Sequence, residues 1–141
     1  MNALQNCKKI IISLLNQRYG LDVDVLESKD HISINSDFIK QGLSTKPNLN
    51  ITIFDSGLLL IAITFNDVKT WNADSYKVMD AFNANVPFLK MYLDEDNVPT
   101  IEYASNVASE STLENIIDCV IKVLAESETT QYLLYLDSLS K

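Results

Sequence analysis

Between Leu49 and Phe65 the chain carries a pattern that only a β-sheet can use. Leu49, Ile51 and Ile53 alternate with Asn50 and Thr52, Asp55-Ser56-Gly57 interrupts, and residues 58–65 return apolar at almost every position. A period of two puts every second side chain on one face of a strand. A short polar group ending in Gly supplies the positive φ that a tight reversal needs. The segment therefore predicts an antiparallel hairpin, its second strand central in the sheet and covered on both faces.

The other periodicities arrange themselves around that hairpin. Over residues 3–19, Leu4, Cys7, Ile11, Leu14 and Leu15 recur at spacings of three and four, with Asn2 as N-cap and Gly20 as the stop, which predicts a helix. Ile10 and Ile12 widen its apolar stripe, so it should be covered on more than one side, by the sheet and another helix or by a partner. After Gly20 the period drops to two: Val23 and Val25 form a first short extended segment, and Ile32 and Ile34 a second across a Lys29-Asp30 turn.

A second helix is expected over 73–85, capped by Asn72 or Asp74, burying Tyr76, Val78, Met79 and Phe82 and ended by Pro87. Residues 88–93 and 98–103 flank Asp94-Glu95-Asp96-Asn97 as an acidic hairpin. Ser111 to Glu114 reads as a capping box opening a third helix, with Leu113, Ile116, Ile117, Val120 and Leu124 on one face. Helices segregated from strands predict an α+β fold, an antiparallel sheet of about five strands with helices packed on it in the order α-β-β-β-α-β-β-α. The 141 residues suit one domain over 1–141, with 128–141 a C-terminal helical extension. A chain of this length buries roughly two-thirds of its unfolded surface, enough for a core without disulfide or metal staples.

The residues that carry chemistry are scarce. His31 is the only histidine, at a polar alternating position, and reads as a solvated strand residue; Cys7 and Cys119 lie in apolar helical patterns and read as buried small hydrophobes. Three Cys and His residues in all disfavour zinc. Asp94, Asp96 and Asn97 offer oxygen donors but lack the mid-loop Gly and late Glu of a calcium loop, so they read as a solvated hairpin tip. Gly20, Gly42 and Gly57 are the only glycines, too few for a phosphate-binding loop or a dinucleotide fingerprint. The expectation is therefore a protein with no catalytic residues, no metal and no cofactor.

Eleven basic against nineteen acidic residues give a net charge of −8. That balance argues against nucleic acid and against anionic lipid as partners, because both need a basic face. Residues 1–47 carry six basic and five acidic residues, whereas 48–141 carry five and fourteen, which assigns the acidity to the C-terminal two-thirds and makes a basic protein segment a plausible ligand. The longest apolar run, 58–63, falls far short of the roughly 20 residues a membrane-spanning helix needs. Lys8 and Lys9 precede an amphipathic pattern, not an export signal, and a cytoplasmic location is expected.

Ala81-Phe82-Asn83, then Phe88-Leu89-Lys90-Met91-Tyr92-Leu93-Asp94-Glu95-Asp96, then the helix beginning at Ser111 resemble the YbjN-like family of bacterial proteins ascribed a role in sensory transduction. The resemblance is clear over 71–124; Asn97-Val98 stands where the family's turn has Gly. It implies a fold similar to the class I type III secretion chaperones, which are small, acidic, homodimeric and bind extended protein segments without catalysing a reaction. The expectation is a non-enzymatic, chaperone-like or regulatory interaction module that forms a homodimer and binds a segment of a protein partner. The alternative is an acidic immunity or inhibitor protein masking a basic toxin. The stripe Tyr132, Leu133, Leu136 and Leu139 is the candidate dimer or partner contact, against the alternative that it packs on its own domain.

Overall fold

The computed structural model describes residues 3–107 and 109–140. The chain runs α1 (Ala3–Ser13), a π turn (Leu14–Arg18), β1 (Asp24–Glu27), β2 (His31–Asp37), β3 (Asn48–Phe54), β4 (Leu58–Thr64), α2 (Ala73–Asn85), β5 (Lys90–Leu93), β6 (Pro99–Asn106), α3 (Glu110–Ala125) and α4 (Ser127–Ser138). The strands form one antiparallel sheet in the order β1-β2-β3-β4-β6-β5. The α+β class holds, with six strands instead of about five. The additional strand is β1, which forms because Val25 falls opposite Ile34 and Leu26 opposite Ser33 on β2.

One face of the sheet is aliphatic. Ile34, Ile51 and Ile61 stand side by side across β2, β3 and β4, each at most 2% exposed. Burying a side chain of this size contributes roughly 2 kcal/mol; cutting Ile51 back to Ala costs about 3 kcal/mol once the cavity is included. The helices cover this face: α1 lies on β2 and β3, α3 packs on α1, and α4 on α3 and α2. The reverse face is polar in its middle. There Asn50 Nδ2 donates to Ser33 Oγ at 2.7 Å and Asn35 Oδ1 at 2.9 Å, and Thr52 Oγ1 donates to Asn50 Oδ1 at 2.7 Å.

β4 is central as expected, yet it is covered on one face only. Leu59, Ile61 and Ile63 are buried, whereas Leu58, Leu60, Ala62 and Thr64 are half-buried. The physical reason is that the helices share the other face; Leu60 is sheltered by Thr52 and Ala104 on the flanking strands. Gly57 closes the hairpin at φ +92°, donating its N–H to Phe54 at 3.0 Å.

The helix ends follow sequence chemistry with two exceptions. Asn72 caps α2, its side chain accepting from the Ser75 N–H at 3.1 Å while the Ser75 hydroxyl accepts from the Asn72 N–H at 3.3 Å. Gly20 at φ +65° turns the chain after the π turn, and the Leu21 N–H reaches back to the Leu15 carbonyl at 2.9 Å. Asn2, the expected cap of α1, lies outside the described residues. The first exception is Tyr76, which is not buried but 49% exposed, edge-on to Trp71, because Ser75 takes the inward position and meets the Tyr135 hydroxyl at 3.1 Å. The second is α3, which starts at Glu110 with Ser109 at the N-cap. Ser111 therefore lies inside the first turn, and Glu114 pairs with Arg18 at 2.6 Å instead of closing a capping box.

One buried acid ties α4 to the β2–β3 connection. Asp137, 4% exposed, accepts from the N–H groups of Ser44 and Thr45 at 2.8 and 2.9 Å and from both their hydroxyls. Burial alone raises a carboxyl, but these four donors outweigh it and bring Asp137 down to about 2.

Candidate protein-interaction surfaces

The sheet ends in two edges of different construction. At β5, Asp94 and Val98 form the hydrogen-bonded pair that starts the hairpin, so alternation turns the Met91 N–H and C=O away from β6. Asn83 on α2 occupies both: its Nδ2 donates to the Met91 carbonyl at 3.0 Å and its Oδ1 accepts from the Met91 N–H at 2.7 Å. A side-chain amide thus stands where another strand would pair. At β1, the Ser28 N–H donates to the His31 carbonyl at 3.0 Å, which sets the same alternation and turns the backbone groups of Val25 and Glu27 outward. Among the described residues nothing occupies them.

Beside the closed edge lies an apolar groove of about 220 Å³ between α3 and the β5–β6 side. Leu89, Tyr103, Ile116, Val120 and Val123 line it, and Phe88 overhangs it, 72% exposed. Phe88 sits at φ +67°, a left-handed conformation that costs a bulky L-residue about 1–3 kcal/mol. Its neighbours impose it: Val86 and Leu89, each 6% exposed, are both drawn into the core across Pro87. The result is an aromatic ring held outward next to apolar side chains. Cys119 also opens onto this groove, so the expectation that both cysteines are buried fails for Cys119; it lies on the outer side of α3, half a turn from Ile117. Cys7 is buried, and burial followed by Glu110 pushes its thiol up.

The polar groups of the two hairpin tips bond to the backbone and to one another. Asp94 Oδ1 accepts from the N–H groups of Asp96 and Val98, both at 2.9 Å, and Asn97 takes the left-handed position, φ +61°, that Gly would otherwise fill. Around His31, Ser28 Oγ lies 2.7 Å and Asp30 Oδ1 2.8 Å from the same ring nitrogen, Nδ1. Ser28 Oγ also lies 3.4 Å from Nε2, and the three side chains, within four consecutive residues, tie together the tip of the β1–β2 hairpin. Hydrogen bonds from His31 and then Ser28 hold the Asp30 carboxyl below its ordinary value. Among the described residues no three His, Cys, Asp or Glu converge to hold a metal ion, and no helix is long and apolar enough to cross a membrane.

The C-terminal stripe divides. Leu133 and Leu136 are fully buried in the chain's own core, which leaves them no surface to offer a partner. Tyr132 is half-buried, its ring edge-on to Phe82 at 5.4 Å and its hydroxyl accepting from Asn85 at 3.3 Å, and Leu139 is half-buried against the core. Phe88, the Asn83 clasp and the unpaired β1 edge carried no signal as a site; only Pro87 before Phe88 hinted at an abrupt turn.

A fold of this class, with one strand edge open, the other closed and an apolar groove between helix and sheet, presents surfaces for polypeptide. The YbjN family, described as "Putative bacterial sensory transduction regulator", matches residues 50–130, from within β3 to the first turn of α4. That is more than half of the chain, and the chain belongs to this family. The match begins earlier than the resemblance in residues 71–124 and takes in the β3–β4 hairpin. No curated protein and no solved structure matches the chain.

Proposed function

We propose that this chain is a non-enzymatic interaction module of regulatory or chaperone-like type that forms a homodimer and binds an extended segment of another protein. Membership of a regulator family supports the regulatory part. The observation that carries the reading is Phe88: a strained backbone holds an aromatic side chain 72% exposed beside an apolar groove, an arrangement that gains from being covered by protein. Strain of this kind is stored where it serves an interaction. The groove is the dimer contact, and it replaces the buried Leu133 and Leu136 in that role.

Light scattering on the purified protein tests the dimer. The expected mass is twice 15.9 kDa at micromolar concentration. Phe88→Asp and Ile116→Asp should each bring it to the monomer mass with an unchanged circular dichroism spectrum. A wild-type monomer under the same conditions overturns the dimer.

A further inference from the structure

We propose that the open β1 edge takes up an extended, lysine- or arginine-bearing segment of a partner protein as a seventh strand of the sheet. This rests on the reading of the chain as an interaction module and names the place and the chemistry. Backbone pairing is available there because Val25 and Glu27 turn their N–H and C=O groups outward. At the opposite edge Asn83 already holds the groups of Met91 and only Leu93 still turns its N–H and C=O outward, so β1, with Val25 and Glu27 both free, is where an added strand can pair over two successive residues.

Charge selects the occupant. All five acids of the first 47 residues, Asp22, Asp24, Glu27, Asp30 and Asp37, fall within 22–37, against Lys29 alone. On the helix side of β1, Glu27 is matched by Lys8 at 2.9 Å. On the reverse side, Asp22, Asp24 and Asp37 surround a hollow of about 220 Å³ with Asn35 and Asn48, and among the described residues no Lys or Arg pairs with any of the three. An incoming strand points alternate side chains to that side, where cations would meet three unmatched carboxylates. Leu26, 67% exposed on the same side, offers apolar surface to a lysine or arginine stem. A second copy of this chain would bring its own acids to the same edge, so self-pairing sets like charge against like.

The probe is the capped peptide Lys-Val-Lys-Val-Lys added to the full chain and followed by amide chemical shifts. The amides of Val25 and Glu27 should shift with saturation, and the same peptide with Glu in place of Lys should not bind. Two N-methylated versions, blocking the amides of the lysines or of the valines, separate pairing from charge attraction: one set should abolish binding and the other leave it intact. Asp24→Asn and Asp37→Asn should each weaken binding about threefold, and Val25→Pro, which removes an outward N–H, should abolish it. If both N-methylated peptides bind as well as the parent, the carboxylates merely guard the edge against aggregation and the proposal falls. A doubling of mass that Val25→Pro removes would put a second copy on this edge and also overturn it. The Phe88-dependent mass is read independently: a dimer that ignores the peptide loses the β1 assignment alone, and a monomer that binds the peptide loses the dimer alone.

Discussion

The two edges of the sheet solve the same problem in opposite ways. An edge strand exposes unpaired backbone groups and invites pairing with other chains. At β5 the solution is built into the fold: α2 is packed against the strand, and the Asn83 amide hydrogen-bonds the outward N–H and C=O of Met91, in the middle of the edge. At β1 the backbone is left free and the defence, or the selection, is electrostatic, with Asp24 on the strand, Asp22 just before it and Asp37 beside it. A clasp blocks pairing whatever the charge of the partner, whereas carboxylates repel acidic partners alone.

The largest expected effect lies away from both edges, at the acid that ties α4 to the β2–β3 connection, and sets the baseline. Asp137→Ala leaves the donors of Ser44 and Thr45 without their acceptor and should cost about 3 kcal/mol in urea unfolding. The native Asp137 carboxyl titrates near 2, below its ordinary 3.8, so its contribution is complete above about pH 4 and is lost as pH falls towards 2. The variant should lack that step in a plot of stability against pH.

Next comes the clasp itself. Asn83→Ala frees both groups of Met91 and should lower stability by about 1–2 kcal/mol. Hydrogen exchange should show faster loss of protection at Met91 than at Ile101 across the ladder; equal protection would mean that α2 and not the amide closes the edge. Val25→Pro removes no ladder bond, because this N–H points outward, and should cost about 1 kcal/mol or less. The smallest effect belongs to Lys8→Ala. Hydrogen bonds from Lys8 and then Gln5 hold the exposed Glu27 carboxyl below its ordinary value. Removing the lysine should leave the melting temperature unchanged and tighten basic-peptide binding slightly at low salt, with no difference at high salt.

Much of this architecture was legible in residue patterns. The β3–β4 hairpin, an α2 cap at Asn72 or Asp74, the acidic β5–β6 turn and the α+β class all follow from periodicity and turn chemistry, which act over a few neighbouring residues; the fold takes Asn72. The misses share a cause. The balance of +1 over residues 1–47 averages two separate groups, the acids gathered in 22–37 and Lys8, Lys9 and Arg18 on or just after α1. Ser111-Thr112-Leu113-Glu114 has the letters of a capping box, but Arg18 draws Glu114 elsewhere. The stripe at Leu133 and Leu136 is apolar whether it meets a partner or its own core.

The amino-acid order alone determined where most strands and helices form, because the periods of 2 and 3.6 are properties of the backbone itself; β1 is a strand through its pairing with β2. It also determined that the chain is acidic and poor in His, Cys and Gly. Tertiary structure alone decided which edge is closed, since Asn83 meets Met91 only when α2 docks on β5. It likewise decided that Phe88 faces outward: the residues on either side of it and Pro87 are pulled into the core, and packing that satisfies those neighbours overrides the preference of a single side chain.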